Sequence, residues 1–134
     1  MSWNAYIDSI VRDSTGSCDA AALMSLEGQS WTTDDHASNL SMSNEEMVTI
    51  AKGMSSNDMA SFFMSGITAG GVTYQFLREN EGKVVHGKRK DNGGITLEKT
   101  GTGIVIGHTK EGGVQGNTIG AVNKMAAYIE SVGM

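Results

Sequence analysis

The chain has 134 residues and a mass of 14.1 kDa, which suits one domain with one buried core. Its hydrophobic fraction of 39% is too high for a disordered chain, its net charge of −5 disfavours a general nucleic-acid binder, and no apolar run approaches the roughly 18 residues that span a membrane. Cys18 is the only cysteine and no secretory signal is recognisable, so we expect no disulfide and a reducing cytosol.

An amphipathic helix is predicted at the start of the chain. Its apolar residues follow one another at i, i+3, i+4, i+7 and i+8, namely Trp3, Tyr6, Ile7, Ile10 and Val11. Ser2 is a candidate N-cap, and Gly16 ends the segment. At about 100° per residue the apolar stripe spans roughly 140°, with Tyr6 at one edge.

A hairpin and a second helix are predicted next. Residues 20–26 and 30–33 flank Glu27-Gly28-Gln29, which is a hairpin signal. Over residues 43–53, Ser43 and Glu46 form a capping box ahead of apolar residues at helical spacing. Gly53 is suited to the C-terminal end of this helix.

From residue 62 the pattern changes to short strands that are joined by glycine-containing turns. Five such segments follow one another, at residues 62–69, 72–79, 83–88, 95–100 and 103–109. Successive strands with tight turns predict an antiparallel meander.

The last segment predicts another helix, which Asn117 or Thr118 can cap and Gly133 can end. Tyr128 lies about 40° outside its apolar stripe. The predicted fold class is α/β of the α+β type, in a single domain over residues 1–134. It has a central antiparallel sheet of about seven strands, with the N- and C-terminal helices on one face and a short middle helix on the other.

No constellation of reactive side chains is recognisable. The three histidines do not stand in ligand spacing with one another, with the cysteine or with a carboxylate (His36, His86 and His108). Two adjacent acidic pairs are interpreted as solvated or capping groups (Asp34-Asp35 and Glu45-Glu46). The glycine-rich residues 101–103 lead into a strand, whereas phosphate binding needs a helix N-terminus. We therefore expect no enzyme, no metal and no cofactor.

Two surface features point to binding. Aromatic residues stand near both chain ends, at Trp3, Tyr6 and Tyr128, although they could also serve the core. Four basic residues lie within eight positions of one another, and they are either a local basic patch or an ordinary solvated turn (Lys83, Lys88, Arg89 and Lys90).

Several segments, in order along the whole chain, resemble profilins. They are Ser-Trp-Asn-Ala-Tyr-Ile-Asp at residues 2–8, Trp31, Gly-Ile-Thr-Ala-Gly-Gly at 66–71, Gly-Lys-Arg-Lys at 87–90, Ile-Val-Ile-Gly at 104–107 and Ala-Tyr-Ile-Glu-Ser-Val-Gly-Met at 127–134. The first and last of these segments are the most specific. The resemblance implies an antiparallel sheet whose N- and C-terminal helices pack together on one face.

The resemblance also implies a groove for proline-rich segments between the terminal helices and a strand-borne Trp. By position its residues are Trp3, Tyr6, Trp31, Tyr128 and Met134. Vertebrate members carry His in place of Tyr128 and Tyr in place of Met134. A polyproline II ligand is already extended, so aromatic rings bind it at little cost in conformational entropy.

A second implied surface binds monomeric actin. The matching positions run along strands over residues 62–78 and the start of the last helix, and they include Phe63, Thr73, Gln75, Arg78, Lys90, Val114, Gly116, Asn117 and Lys124. Some relatives have Lys in place of Thr73 and His in place of Val114. The basic residues Lys83, Lys88, Arg89 and Lys90 resemble the family's phosphoinositide-binding region.

Three functional hypotheses follow. The first is a non-enzymatic, monomeric adaptor of the cytoplasm and cytoskeleton, which binds actin, speeds its nucleotide exchange, delivers it to proline-rich factors such as formins, and responds to phosphatidylinositol phosphates. The second is a phosphoinositide-binding protein of the membrane surface with weak or no actin binding. The third, a small-ligand enzyme on the same scaffold, lacks a reactive constellation.

Overall fold

The computed structural model describes residues 3–33, 36–55, 59–81 and 83–133. The elements in chain order are α1 (Asn4–Asp13), β1 (Cys18–Ser25), α2 (Asn44–Ser55), α3 (Met59–Ser65), β2 (Ile67–Ala69), β3 (Val72–Asn80), β4 (Val84–Arg89), β5 (Gly93–Lys99), β6 (Gly103–Thr109) and α4 (Gln115–Ser131). Within these ranges no helix is long and apolar enough to cross a membrane.

One sheet runs through the molecule in the order β1-β6-β5-β4-β3-β2. Each neighbouring pair is antiparallel, and β2 to β6 follow one another as the predicted meander. The first strand β1 then adds to the free edge of β6. The N-terminal segment is thereby placed beside the last strand and the last helix.

The two faces of the sheet carry separate apolar cores, because successive side chains of a strand point to opposite faces. On β6, Ile104 and Ile106 face the core that contains α2 and Phe62. Val105 faces the other core, which is formed with α1 and α4. The structure therefore confirms the predicted fold class, with both terminal helices on one face and the middle helix on the other.

The described part of the chain contains six strands rather than about seven. The predicted return arm of the first hairpin, residues 30–33, pairs with β1 only through a bridge between Ser30 and Met24 and a hydrogen bond from the Trp31 N–H to the carbonyl of Leu23. Beyond that point the chain turns toward α1, because Thr33 is hydrogen-bonded to Asn4.

Residues 62–65 were predicted as strand, but they form the end of α3. Phe62 is buried against α2, while the two residues that follow, Phe63 and Met64, are 75% and 83% exposed. The prediction that Gly53 ends α2 is also wrong, because Gly53 lies inside this helix. A Cβ at Gly53 would come within 2.4 Å of the Phe62 ring, so this glycine permits close packing of the two helices.

The starts of α2 and α4 show where the local capping signals agree with the structure and where they do not. The capping box of α2 is confirmed, since Glu46 Oε1 accepts from the Ser43 N–H at 2.9 Å and Ser43 Oγ accepts from the Glu46 N–H at 3.1 Å. Helix α4 begins at Gln115, so the predicted caps Asn117 and Thr118 lie inside its first turn. The candidate cap Ser2 lies outside the described residues.

The early start of α4 has a tertiary cause. The Gln115 side-chain amide donates to the carbonyls of Gly87 and Ile95, at 3.1 and 3.3 Å. Ser17 Oγ accepts from the N–H of the N-cap residue Val114 at 3.0 Å. These contacts hold the first turn of α4 over β4 and β5 without a side-chain cap on the helix itself.

Candidate functional site

Four aromatic rings from three segments meet on the face that carries α1 and α4. We call Trp3, Tyr6, Trp31 and Tyr128 the aromatic cluster. Trp3 stacks on Trp31 with ring centroids 4.4 Å apart, and its edge meets Tyr6 at 5.2 Å. Tyr6 meets Tyr128 edge to face at 5.8 Å. The rings form a continuous row from the loop after β1 to the C-terminal part of α4.

The members of this row differ in burial. Tyr6 is only 7% exposed, whereas Tyr128 is 45% exposed, and both Trp rings are partly buried. Burial raises the pKa of Tyr6, and the charge of Tyr128 and its hydrogen bond to Tyr6 raise it further. Tyr6 is thus part of the core, while the other three rings of the aromatic cluster are partly exposed to solvent. The remaining predicted member, Met134, lies outside the described residues.

Trp31 owes its position to contacts that lie far apart in the sequence. Its ring lies over Gly103 of β6, where a Cβ would come within 2.4 Å of the ring. Asn4 Nδ2 donates to Thr33 Oγ1 at 2.8 Å, and Asn4 Oδ1 accepts from the Thr33 N–H at 3.2 Å. The Trp-bearing loop is therefore fastened to α1 immediately beside Trp3.

A second link fastens the same loop to α1. His36 Nδ1 accepts from the Ser38 N–H at 2.9 Å, which places the ring proton on Nε2. His36 Nε2 then donates to Asp8 Oδ1 at 2.8 Å. Sequence reasoning singled out neither this pair nor the Asn4–Thr33 pair, because no spacing rule joins residues so far apart.

A cleft of about 280 Å³ continues the aromatic row between α1 and α4. Tyr6, Tyr128 and Met125 line one part of it, and polar residues line the other. Lys124, which was predicted to touch actin, lies in this cleft and forms an ion pair with Asp13 at 3.6 Å.

Most of the other residues predicted to touch actin are exposed, but they lie in more than one part of the fold. Thr73, Gln75 and Arg78 lie on β3, Lys90 lies in the turn after β4, and Val114, Gly116 and Asn117 surround the start of α4. Phe63 projects from α3, with its ring 6.1 Å from that of Phe76 on β3. Two exposed apolar residues nearby were not predicted, Met64 and Leu77.

The four basic residues do not form one patch. Lys88 and Arg89 end β4 and Lys90 follows them, while Lys83 precedes β4 at its other end, roughly 17 Å away at about 3.3 Å per residue. Lys83 Nζ donates to Glu130 Oε1 on α4 at 3.1 Å, and this hydrogen bond raises the pKa of Lys83. Arg89 Nη1 donates to the carbonyl of Thr73 at 3.0 Å.

Comparison with known proteins gives a consistent result over the whole chain. The family model described as Profilin matches residues 1–134. The chain belongs to the profilin family. The profilins of Strongylocentrotus purpuratus and Suberites domuncula are 45% and 46% identical to it over 142 and 140 residues, and each alignment covers 100% of both chains.

Solved profilin structures share the fold. Profilin II of Acanthamoeba castellanii superposes with a TM-score of 0.85 at 26% identity, over 99% of this chain and 100% of that one. Mouse profilin IIa, solved in complex with a double repeat from the FH1 domain of mDia1, superposes with a TM-score of 0.76 at 21% identity, over 100% of both chains. Profilins are non-enzymatic, actin-binding proteins of the cytoskeleton, in agreement with the expectation that this chain is not an enzyme.

Proposed function

We propose that this profilin-family chain is a monomeric cytoplasmic adaptor that binds proline-rich segments at the aromatic cluster and monomeric actin at a separate face. Actin subunits are thereby delivered to proline-rich assembly factors of the formin type. The observation that carries the proposal is the row of four rings, which α1, the loop after β1 and α4 assemble on one surface.

The chemistry of the row suits an extended proline-rich ligand. A polyproline II helix has no internal hydrogen bonds, so its carbonyls are available to Trp N–H and Tyr O–H donors. Flat rings pack between successive prolines, and each well-buried ring contributes on the order of 1–2 kcal/mol. The FH1 repeat held by mouse profilin IIa, which shares this fold, supports this choice of ligand. Met134 is proposed to extend the far end of the groove.

The proposed actin face combines exposed apolar and charged groups. Phe63, Val114 and the β3 residues Thr73, Gln75 and Arg78 would contact actin, together with Lys90, Gly116, Asn117 and Lys124. Family membership supports actin binding itself. Faster nucleotide exchange would follow if the chain binds an open conformation of actin more tightly than a closed one, since only differential affinity shifts such an equilibrium.

We propose phosphoinositide binding as a third property, through Lys88, Arg89 and Lys90. These residues are exposed at one end of the sheet, and each lysine or arginine near an anionic surface contributes about 1 kcal/mol. Lys83 is proposed as a weaker member, because it is paired with Glu130 and lies at the other end of β4. If actin binding failed, these residues would favour the alternative of a membrane-surface protein.

A proline-decamer titration tests the peptide site. Trp3 and Trp31 are the only tryptophans, so intrinsic tryptophan fluorescence reports on the aromatic cluster alone. We expect a saturable change that Trp3→Ala abolishes while circular dichroism shows the fold intact. Phe63→Ala is the matched control, because it removes an exposed ring from the other face, and it should leave the titration unchanged. Equal loss in both variants, or no change at millimolar peptide, would refute the assignment.

Actin binding is tested with the same two variants in the reverse sense. Release of a fluorescent nucleotide from monomeric actin should be accelerated by the wild type and by Trp3→Ala, but much less by Phe63→Ala.

Replacing Lys88, Arg89 and Lys90 together with Ala should remove binding to phosphoinositide vesicles. If that triple variant lost all activity while Trp3→Ala lost none, the membrane-surface alternative would replace the adaptor.

A further inference from the structure

The cleft of about 280 Å³ between α1 and α4 extends the aromatic cluster along the two helices. Tyr6 of α1 meets Tyr128 of α4 at one end of the cleft. Further along α1, Asp13 pairs with Lys124, which precedes Tyr128 on α4. The two helices are therefore antiparallel here, and a ligand that lies on the four rings has a continuous path into the cleft.

One part of the cleft is apolar, and its far end lies within reach of a bound peptide. Met125, which is 8% exposed, lines the apolar part next to the two tyrosine rings. Arg12 lines the far end and follows Tyr6 by six residues, which is about 9 Å at the rise of an α-helix. A polyproline II chain rises about 3.1 Å per residue. A ligand residue about three positions beyond the one that packs on Tyr6 would therefore reach Arg12.

The far end of the cleft has an excess of positive charge. Among the described residues that line it, Arg12 and Lys124 are cations and Asp13 is the one anion. Arg12 Nε lies 3.4 Å from Asp13 Oδ1, and Lys124 Nζ lies 3.6 Å from Asp13 Oδ2. The side chains of the two cations are 73% and 74% exposed, so these ion pairs are weak. Two cations thus share one carboxylate, and a second carboxylate would complete the charge balance.

We propose that this cleft selects proline-rich ligands that carry an acidic residue next to the proline run. The prolines pack on the aromatic cluster, and the Asp or Glu carboxylate of the ligand binds Arg12 and Lys124. The Arg12 guanidinium is able to donate two parallel hydrogen bonds to a carboxylate, which gives the contact a defined geometry. This inference rests on the proposed peptide site, and it adds the charge beside the prolines as a determinant of ligand choice.

The net charge of the protein predicts the opposite preference. A chain with a net charge of −5 repels an acidic peptide at long range and attracts a basic one. Tighter binding of an acidic peptide would therefore have to come from local cations. Asp13 opposes the ligand carboxylate, so removing its charge should strengthen binding, which provides a variant with the opposite sign.

The test compares three peptides by tryptophan fluorescence, namely a proline decamer extended by two glutamates, by two glutamines or by two lysines. The pair is added at the C-terminal end in one series and at the N-terminal end in another, so that both directions of the ligand along the groove are covered. In one of these series we expect the Glu-ended peptide to bind about threefold tighter than the Gln-ended one at low salt, and the Lys-ended peptide to bind least tightly. The advantage should disappear at about 0.5 M salt, because the contact is exposed and screened.

Three variants assign the preference to the cleft. Arg12→Gln should lose most of the advantage of the Glu-ended peptide and bind the Gln-ended peptide as the wild type does. Asp13→Asn should strengthen binding of the Glu-ended peptide about twofold. It should also keep the fold, because the C-terminal end of a helix disfavours a negative charge. Lys52→Gln is the matched control, because it removes one positive charge from α2 on the other face of the sheet, and it should change neither affinity.

Each outcome has a separate meaning. Equal binding of the Glu-ended and Gln-ended peptides in both series would overturn the proposal, and so would equal effects of Arg12→Gln and Lys52→Gln. Loss of binding for all three peptides would refute the proline-rich site itself, and this inference with it. Vesicles with phosphatidylinositol 4,5-bisphosphate are the rival occupant. If Arg12→Gln weakened vesicle binding and left the Glu-ended peptide unchanged, the cleft would belong to a membrane-binding surface and the proposal would be overturned.

Discussion

Glu98 of β5 is a carboxyl group inside the fold, and its ionisation should set a large part of the pH dependence of stability. The residue is 4% exposed and lies between Val84 of β4 and Val105 of β6. Burial raises its pKa from 4.5 to about 7, with Lys83 lowering it and Glu130 raising it by smaller amounts. The folded state therefore holds the Glu98 proton more tightly than the unfolded state.

The sign and the magnitude of the effect on stability follow from the linkage between proton binding and folding. Below about pH 4.5 Glu98 is protonated in both the folded and the unfolded state, and above about pH 7 it is ionised in both, so stability falls as the pH rises between these two values. A tenfold change in an equilibrium constant is about 1.4 kcal/mol, so the raised pKa corresponds to roughly 3 kcal/mol of lost stability above pH 7. Glu98→Gln keeps the shape of the side chain and cannot ionise, so it should escape this loss.

The assay is urea unfolding of wild type and Glu98→Gln at pH 5 and pH 8. Burial lowers the pKa of His86, which has the opposite effect and destabilises the fold at low pH, but both proteins share that contribution and it cancels in their difference. We expect Glu98→Gln to be more stable than the wild type by about 1–3 kcal/mol at pH 8, and by much less at pH 5. A difference of the same size at both pH values would refute the reasoning.

Three further outcomes follow from packing and hydrogen bonding. Asn4→Ala removes the two hydrogen bonds to the Trp-bearing loop, each of which contributes about 1 kcal/mol. It should weaken proline-decamer binding about threefold to tenfold, as measured by tryptophan fluorescence. Unchanged affinity would show that the loop is held without these bonds. Gly53→Ala forces a methyl group into the Phe62 ring and should lower the free energy of unfolding by about 1–3 kcal/mol in urea. Gly120→Ala, on an open surface of α4 where nothing lies within 4 Å of the new Cβ, should instead raise it by up to about 1 kcal/mol, and a loss there would contradict the packing account.

The placement of Lys124 brings together two surfaces that were predicted from the sequence as separate. Lys124 shares a cleft with Tyr6 and Tyr128 and pairs with Asp13 of α1. An actin contact made by Lys124 would therefore lie next to the proposed proline-rich ligand, whereas Phe63 and Arg78 project elsewhere. Lys124→Ala consequently tests whether the two proposed surfaces meet at this cleft.

The sequence by itself determined the features that depend on local periodicity and on turn chemistry. The stripe from Trp3 to Val11 gave α1, the Ser43–Glu46 pair gave the start of α2, and the glycine turns after residue 70 gave the meander. These features are encoded within a few residues, because helix and strand periods and capping bonds act at short range. The aromatic residues at both ends were visible for the same reason.

Only the tertiary structure decided which surfaces those residues share. Residues 62–65 became helical because Phe62 packs on Gly53, and α4 starts early because Gln115 reaches β4 and β5. Lys83, which precedes β4, is paired with Glu130 of α4, while Lys88 lies near the other end of this strand. A local pattern states which face of an element is apolar, but the element that covers this face is chosen by the packing of the whole chain.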